Sequence, residues 1–150
     1  MGYYVTLSEA DWAYAAENQA TCLLALQVMS SEAWNAMKNG GTTMSDGTKK
    51  YWWRWQSEQF PADCSTLRQV FESLGFDCEE DDNGTLRLIG YNNKRGDEQT
   101  FLQMSAPYVI DGSWMEWFGE SNDDFWRFEV HDGKFYSRTG YIEYAPIALG

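Results

Sequence analysis

The 150 residues carry eleven basic and twenty-three acidic side chains, a formal net charge of −12, which repels phosphate backbones and anionic headgroups over a Debye length of about 8–10 Å. Direct binding to nucleic acid or to a membrane is therefore disfavoured, and the same field attracts a basic protein. A chain of this length buries roughly two-thirds of its unfolded surface around one core. One domain over residues 1–150 is expected, and the eight Trp, nine Tyr and eight Phe exceed what such a core usually takes, each ring burying about 150–250 Å². Some rings are expected at the surface.

Residues 3–7 are β-branched and aromatic and read as a strand, carried on through Trp12 and Tyr14 after an irregular step. Over residues 17–30 the spacing of Ala20, Leu23, Leu24 and Met29 predicts a helix. A second short helical piece over 32–38 stops at Gly40-Gly41. The Gly, Thr, Ser and Asp of 39–50 have the composition of an exposed loop. Residues 51–55 follow as a strand, with Tyr51, Trp53 and Trp55 on one side and Trp52 and Arg54 on the other.

Pro61, with Asp63 or Ser65 as cap, opens a helix whose Leu67, Val70, Phe71 and Leu74 form an apolar stripe that Gly75 closes. Residues 76–80 and 85–91 are strands joined across Asp81-Asp82-Asn83-Gly84, where Asn-Gly is a strong hairpin signal. Residues 97–109 read as the last helix, disturbed at its end by Pro107. Residues 112–119, 125–131 and 134–144 read as three antiparallel strands, turning at Asp123-Asp124 and Asp132-Gly133. Helices scattered among hairpins imply an α+β fold, an antiparallel or mixed sheet with about three helices packed on one face.

Reactive chemistry finds little support in the residue pattern. His131 is the lone histidine and sits beside a turn, so a general-base relay lacks its usual member. No G-x-S-x-G, H-E-x-x-H or phosphate-loop spacing occurs. Residues 79–90 begin like a calcium loop, but Glu79 stands where Asp is expected, and Gly90 stands where a bidentate carboxylate is required. Cys22, Cys64 and Cys78 form neither a C-x-x-C pair nor an even set, which points to reduced thiols without a metal. Glu116, Glu120 and Glu129 lie among Trp114, Trp117 and Trp126, a glycosidase-like grouping that a chain this small gives no cleft. The protein is read as a non-enzyme with neither cofactor nor metal.

The opening Met1-Gly2-Tyr3-Tyr4-Val5-Thr6-Leu7, then Trp53-Arg54-Trp55, Phe60-Pro61-Ala62-Asp63-Cys64 and Leu74-Gly75-Phe76-Asp77 resemble a group of small acidic uncharacterised proteins encoded by phages and prophages, many of them actinobacterial. The stretch 86–91, Asp111-Gly112-Ser113, Gly119-Glu120, Trp126-Arg127 and Asp132-Gly133-Lys134 are similar to their second half. The resemblance implies an accessory protein of the host bacterial cytoplasm, and by association an inhibitor of host defence of the anti-CRISPR kind. Met1-Gly2 with Thr6 also satisfies the loose myristoylation pattern, and no apolar run approaches the roughly 20 residues of a membrane span.

The leading expectation is thus a binding protein that blocks a basic nuclease or defence complex. Glu79, Glu80, Asp81 and Asp82 on one hairpin and Glu116, Glu120, Asp123 and Asp124 around another would imitate DNA phosphates if both tips lay on one side, anchored by Trp52 and Trp117. The alternative is a sponge for a nucleotide, in which Trp52, Trp53 or Trp55 stacks on a base and Arg54, Arg127 or Arg138 meets its phosphate. A third reading is an assembly protein whose exposed rings form a homodimer surface.

Overall fold

In a computed structural model that describes residues 3–121 and 124–140, ten strands and three α-helices form an α+β fold. Strand β1 (Tyr4–Asp11) turns Val5 and Leu7 inward and Tyr4 and Thr6 outward, as the period of two requires. A bulge between Leu7 and Glu9 resets the alternation, so Ala10 pairs with Met115 and Glu9 with Glu116. β2 (Ala13–Tyr14) is wholly buried. β1 lies fourth in a five-stranded sheet of order β10-β9-β8-β1-β7, built with β7 (Asn92–Lys94), β8 (Trp114–Gly119), β9 (Phe125–His131) and β10 (Lys134–Gly140). β2 pairs with β6 (Leu86–Gly90), which pairs with β5 (Asp77–Glu80). Every pairing is antiparallel. The two sheets are stitched into one ribbon by Leu7 N–H to the Tyr91 carbonyl at 2.8 Å and Leu88 N–H to the Trp12 carbonyl at 3.1 Å.

The helices differ from expectation at their ends. α1 (Ala16–Gln27) buries Cys22 and Leu26 and leaves Leu24 exposed, one step off the expected stripe. Residues 28–30 and 32–37 tighten into 3-10 turns. α2 (Leu67–Leu74) starts later than expected because Thr66, rather than Asp63 or Ser65, caps it. The Thr66 side chain accepts the Gln69 N–H at 3.0 Å, while the Gln69 side-chain oxygen Oε1 accepts the Ser65 N–H at 2.9 Å, a variant of the capping box. α3 (Glu98–Ser105) gives way to a 3-10 turn at residues 106–108, where Pro107 lacks the N–H a helix needs. Residues 39–50 form a hairpin in place of the expected loop, β3 (Gly40–Thr43) with β4 (Lys49–Trp52). A Cβ on Gly40 would come within 2.5 Å of the Trp52 ring, so the glycine there seats the indole over the backbone. The expected strand end at 141–144 and the Met1-Gly2 pattern lie outside the described residues.

Ten of the described rings are buried in the core. Tyr14 stacks on Phe71 at 5.3 Å, Phe71 meets Phe76, and Phe76 meets both Tyr91 and Trp117. Polar tips are satisfied in series. The Trp12 indole donates to the Tyr14 hydroxyl at 3.0 Å, and the Ser105 hydroxyl donates to the Leu102 carbonyl at 2.9 Å. Ser105 has only one proton to give, so the 2.7 Å contact between the two hydroxyls is a donation from Tyr14. Burial raises the Tyr14 phenol well above its ordinary range, which keeps it a donor.

Gly75 ends α2 with φ of 114°, and a Cβ there would sit 3.1 Å from Tyr91 Cε2. Gly75→Ala is expected to cost about 1–2 kcal/mol, the left-handed penalty of a side chain plus this crowding. Urea unfolding checks it, and an unchanged midpoint would show that the turn relaxes freely.

Candidate binding surfaces

The two acidic tips stand at opposite ends of the β1–β2 ribbon. Gly119, the last residue of β8, pairs with Val5, whereas Leu86, at the other tip, pairs with Tyr14. The nine steps from Val5 to Tyr14 span roughly 30 Å of extended chain at about 3.3 Å each. The condition for one continuous phosphate-like rail is not met, and this corrects the joint assignment of the eight carboxylates.

The β5–β6 end is the uncompensated one. Glu79, Glu80, Asp81 and Asp82 are all exposed. Asp81 shapes the turn, its Oδ1 accepting the N–H groups of Asn83 at 2.9 Å and Thr85 at 3.0 Å, with Gly84 at φ 78°. Arg87 stands opposite Glu79 in register, yet its guanidinium pairs with Asp11 at 3.2 Å, and Arg68 pairs with Glu72. Glu17 in the first turn of α1 adds to the same end, because Gln19 holds the Gly84 carbonyl at 2.8 Å.

At the other end the carboxylates are engaged. Glu120 accepts the Tyr4 N–H at 2.9 Å and Asp124 accepts the Tyr3 hydroxyl; Asp123 lies outside the described residues. Glu116 is on the outer face of β8, paired with Arg127 at 2.6 Å, and Arg127 also donates to Glu129 at 2.9 Å while lying over the Trp114 ring at 4.6 Å. Arg138 reaches the same Glu129 oxygen at 3.0 Å, which bridges two guanidiniums that sit directly opposite each other across β9 and β10. Beside this network, Ser8, Phe125 and Gly140 border an open cleft of about 340 Å³. Trp117 turns inward at 2% exposure, stacked on Trp126 and touching Tyr91. Its assignment as a partner anchor is corrected: it is a core residue, and its indole N–H has no partner among the described residues.

The Glu129 carboxyl is held below its ordinary range, first by the hydrogen bond with His131 and then by Arg127 and Arg138. A carboxyl depressed in the folded state stabilises the protein above its unfolded value, near 4.3, and loses that contribution as the pH falls through the folded value. Acid titration of stability below about pH 4.5 should therefore be shallower in Glu129→Gln than in the parent. Equal slopes would show that the network leaves folding untouched.

The alternative ligand residues also separate. The strand ends at Trp52, which is half-buried over Gly40. Trp53 is fully buried, its indole donating to the Met29 carbonyl at 2.8 Å and meeting Phe101 edge-on at 5.0 Å, so it is withdrawn from any site. Arg127 belongs to the β8–β9 network, leaving Arg54 and Trp55 as the pair that stays together. Trp55 is 60% exposed with φ of 67°, a left-handed conformation that costs a bulky residue about 1–2 kcal/mol. Asp97, 3% exposed, holds this geometry: its carboxylate accepts the Arg54 N–H at 2.7 Å and the Asn39 side-chain amide. Lys94 Nζ lies 5.7 Å from the Trp55 ring centroid and the Arg54 guanidinium 6.0 Å. Sequence reasoning passed over Asp97 and Lys94. The one available signal for Asp97 was its place just ahead of a helix.

Nucleophiles are suppressed. Burial pushes the thiols up, Cys22 and Cys78 to about 12 and Cys64 to about 11, leaving almost no thiolate at neutral pH. Burial also raises the Glu98 carboxyl, which accepts the Gly96 N–H at 2.7 Å. Among the described residues, no group of three or more His, Cys, Asp or Glu is arranged to hold a metal ion, and no helix is long and apolar enough to cross a membrane. No protein-family model, curated protein or solved structure matches the chain.

Proposed function

We propose that the protein acts by binding, without catalysis, and that it occupies a basic surface of a bacterial protein through its β5–β6 end. A phage accessory protein that blocks a nuclease or defence complex in the host cytoplasm fits this reading. The observation that carries it is the placement of charge: Glu79, Glu80 and Asp82 are exposed at one end of the molecule, and the nearest guanidiniums, Arg87 and Arg68, are spent on Asp11 and Glu72. Such a field steers a cationic partner and raises its association rate. The exposed rings lie elsewhere, so the contact is electrostatic at its centre.

Immobilised protein should capture basic proteins from a bacterial lysate, and Glu79→Gln/Glu80→Gln/Asp82→Asn should lose them. Asp81 is left intact because it builds the turn. Capture of the same proteins by the triple variant would refute this surface.

A further inference from the structure

We propose that Trp55, with Arg54 and Lys94, forms a binding site for a nucleotide, the indole stacking on the base and the two cations meeting the phosphate. Four features converge here. The indole is 60% exposed, more than any other ring among the described residues. Its backbone is held in a left-handed conformation, and such strain persists only where the surroundings enforce it, commonly at ligand sites. The enforcement is visible: buried Asp97 fixes the Arg54 N–H, the Asn39 carbonyl receives Arg54 Nε at 3.3 Å, and at Gly96 a Cβ would come within 3.2 Å of the Trp55 ring nitrogen.

The fourth feature is charge. No ion pair among the described residues engages Arg54, Lys94 or the neighbouring Arg95. Asp97 and Glu98, beside the site, are buried and accept backbone N–H groups, and Glu120 at the same end is engaged by the Tyr4 N–H. Both cations lie over the Trp55 ring at the outer limit of a cation–π contact, about 6 Å, so the contact that a stacking base would displace is weak. A phosphate one sugar away from a stacked base would reach a cation beside the ring. Lys94 pairs with Tyr4, at the end of the ribbon remote from Glu79 to Asp82. That separation of roughly 30 Å is several Debye lengths at physiological salt, so the charge of that acidic tip is largely screened at this site.

Eight indole N–H signals are expected in a nitrogen–proton correlation spectrum, one for each Trp, and Trp55→Phe identifies that of Trp55. Adenosine 5′-monophosphate should shift this signal saturably. Adenosine and inorganic phosphate, each carrying half of the recognised chemistry, should bind about tenfold more weakly or worse. A short single-stranded oligonucleotide tests whether the base–phosphate unit is taken from a strand as well as free. Trp55→Ala should abolish binding with the other indole signals in place, and Arg54→Gln or Lys94→Gln should weaken it about threefold to tenfold. The proposal fails if the Trp55 signal stays unmoved by nucleotide up to about 10 mM, or if binding survives in Trp55→Ala.

Discussion

Trp53→Ala should lower the stability of the protein by about 3–5 kcal/mol, the usual cost of deleting a large buried ring, whereas Trp55→Ala should change it by less than about 1 kcal/mol. Two residues apart, the two indoles have opposite surroundings. Trp53 is fully buried, donates to the Met29 carbonyl and packs on Phe101 and Trp34. Its removal opens a cavity and orphans an acceptor, against a total stability of only about 5–15 kcal/mol for a domain. Trp55 loses its two weak cation contacts and its exposed surface, but its backbone strain is partly retained in alanine. Denaturant unfolding followed by circular dichroism gives both numbers. Similar losses for the two variants would mean that Trp55 is part of the core.

Asp97→Ala should cost about 3 kcal/mol, because hydrogen bonds to a charged acceptor contribute about 1.5–3 kcal/mol each and Asp97 accepts two from an almost fully buried position. The loss should be local in its consequence. The Arg54 amide, freed from the carboxylate, should exchange its hydrogen much faster than in the parent, and Trp55 should leave the left-handed conformation. Asp97→Asn keeps one acceptor oxygen and should retain about half of the stabilisation. Unchanged exchange at Arg54 in Asp97→Ala would show that the loop is held by something other than this anchor.

Where one stretch of chain contains all the information, the sequence is readable. The stripe Leu67, Val70, Phe71, Leu74 and the stop at Gly75 define α2, and Asn83-Gly84 defines the β5–β6 turn. The antiparallel run at residues 114–140 follows from alternation alone, with Met115, Trp117, Phe128 and Val130 inward. Failures arise where a distant residue decides. Alternation placed Trp53 and Trp55 on one face of a strand, but Asp97, more than forty positions on, ends the strand by taking the Arg54 N–H. Gly40 and Gly41 disfavour a strand, and the segment still pairs with β4, with Trp52 covering Gly40.

The candidate surfaces show the same division. Exposed acids at residues 79–82 could be read from composition, since charged turn residues are seldom buried. Counting rings, in contrast, does not say which are spare, and Trp117 and Trp53 went to the core. Whether two acidic hairpins share a face is a question of register, and only the pairing of Val5 with Gly119 and Tyr14 with Leu86 answers it.

The most direct measurement is the dissociation constant of the captured basic partner, determined by calorimetry at about 50 and about 500 mM salt. A complex held by the exposed carboxylates of the β5–β6 end should weaken at least tenfold across that range, and the triple variant should show little further salt dependence. An affinity that stays constant with salt, or that the triple variant reproduces, would contradict the assignment of this end as the binding surface.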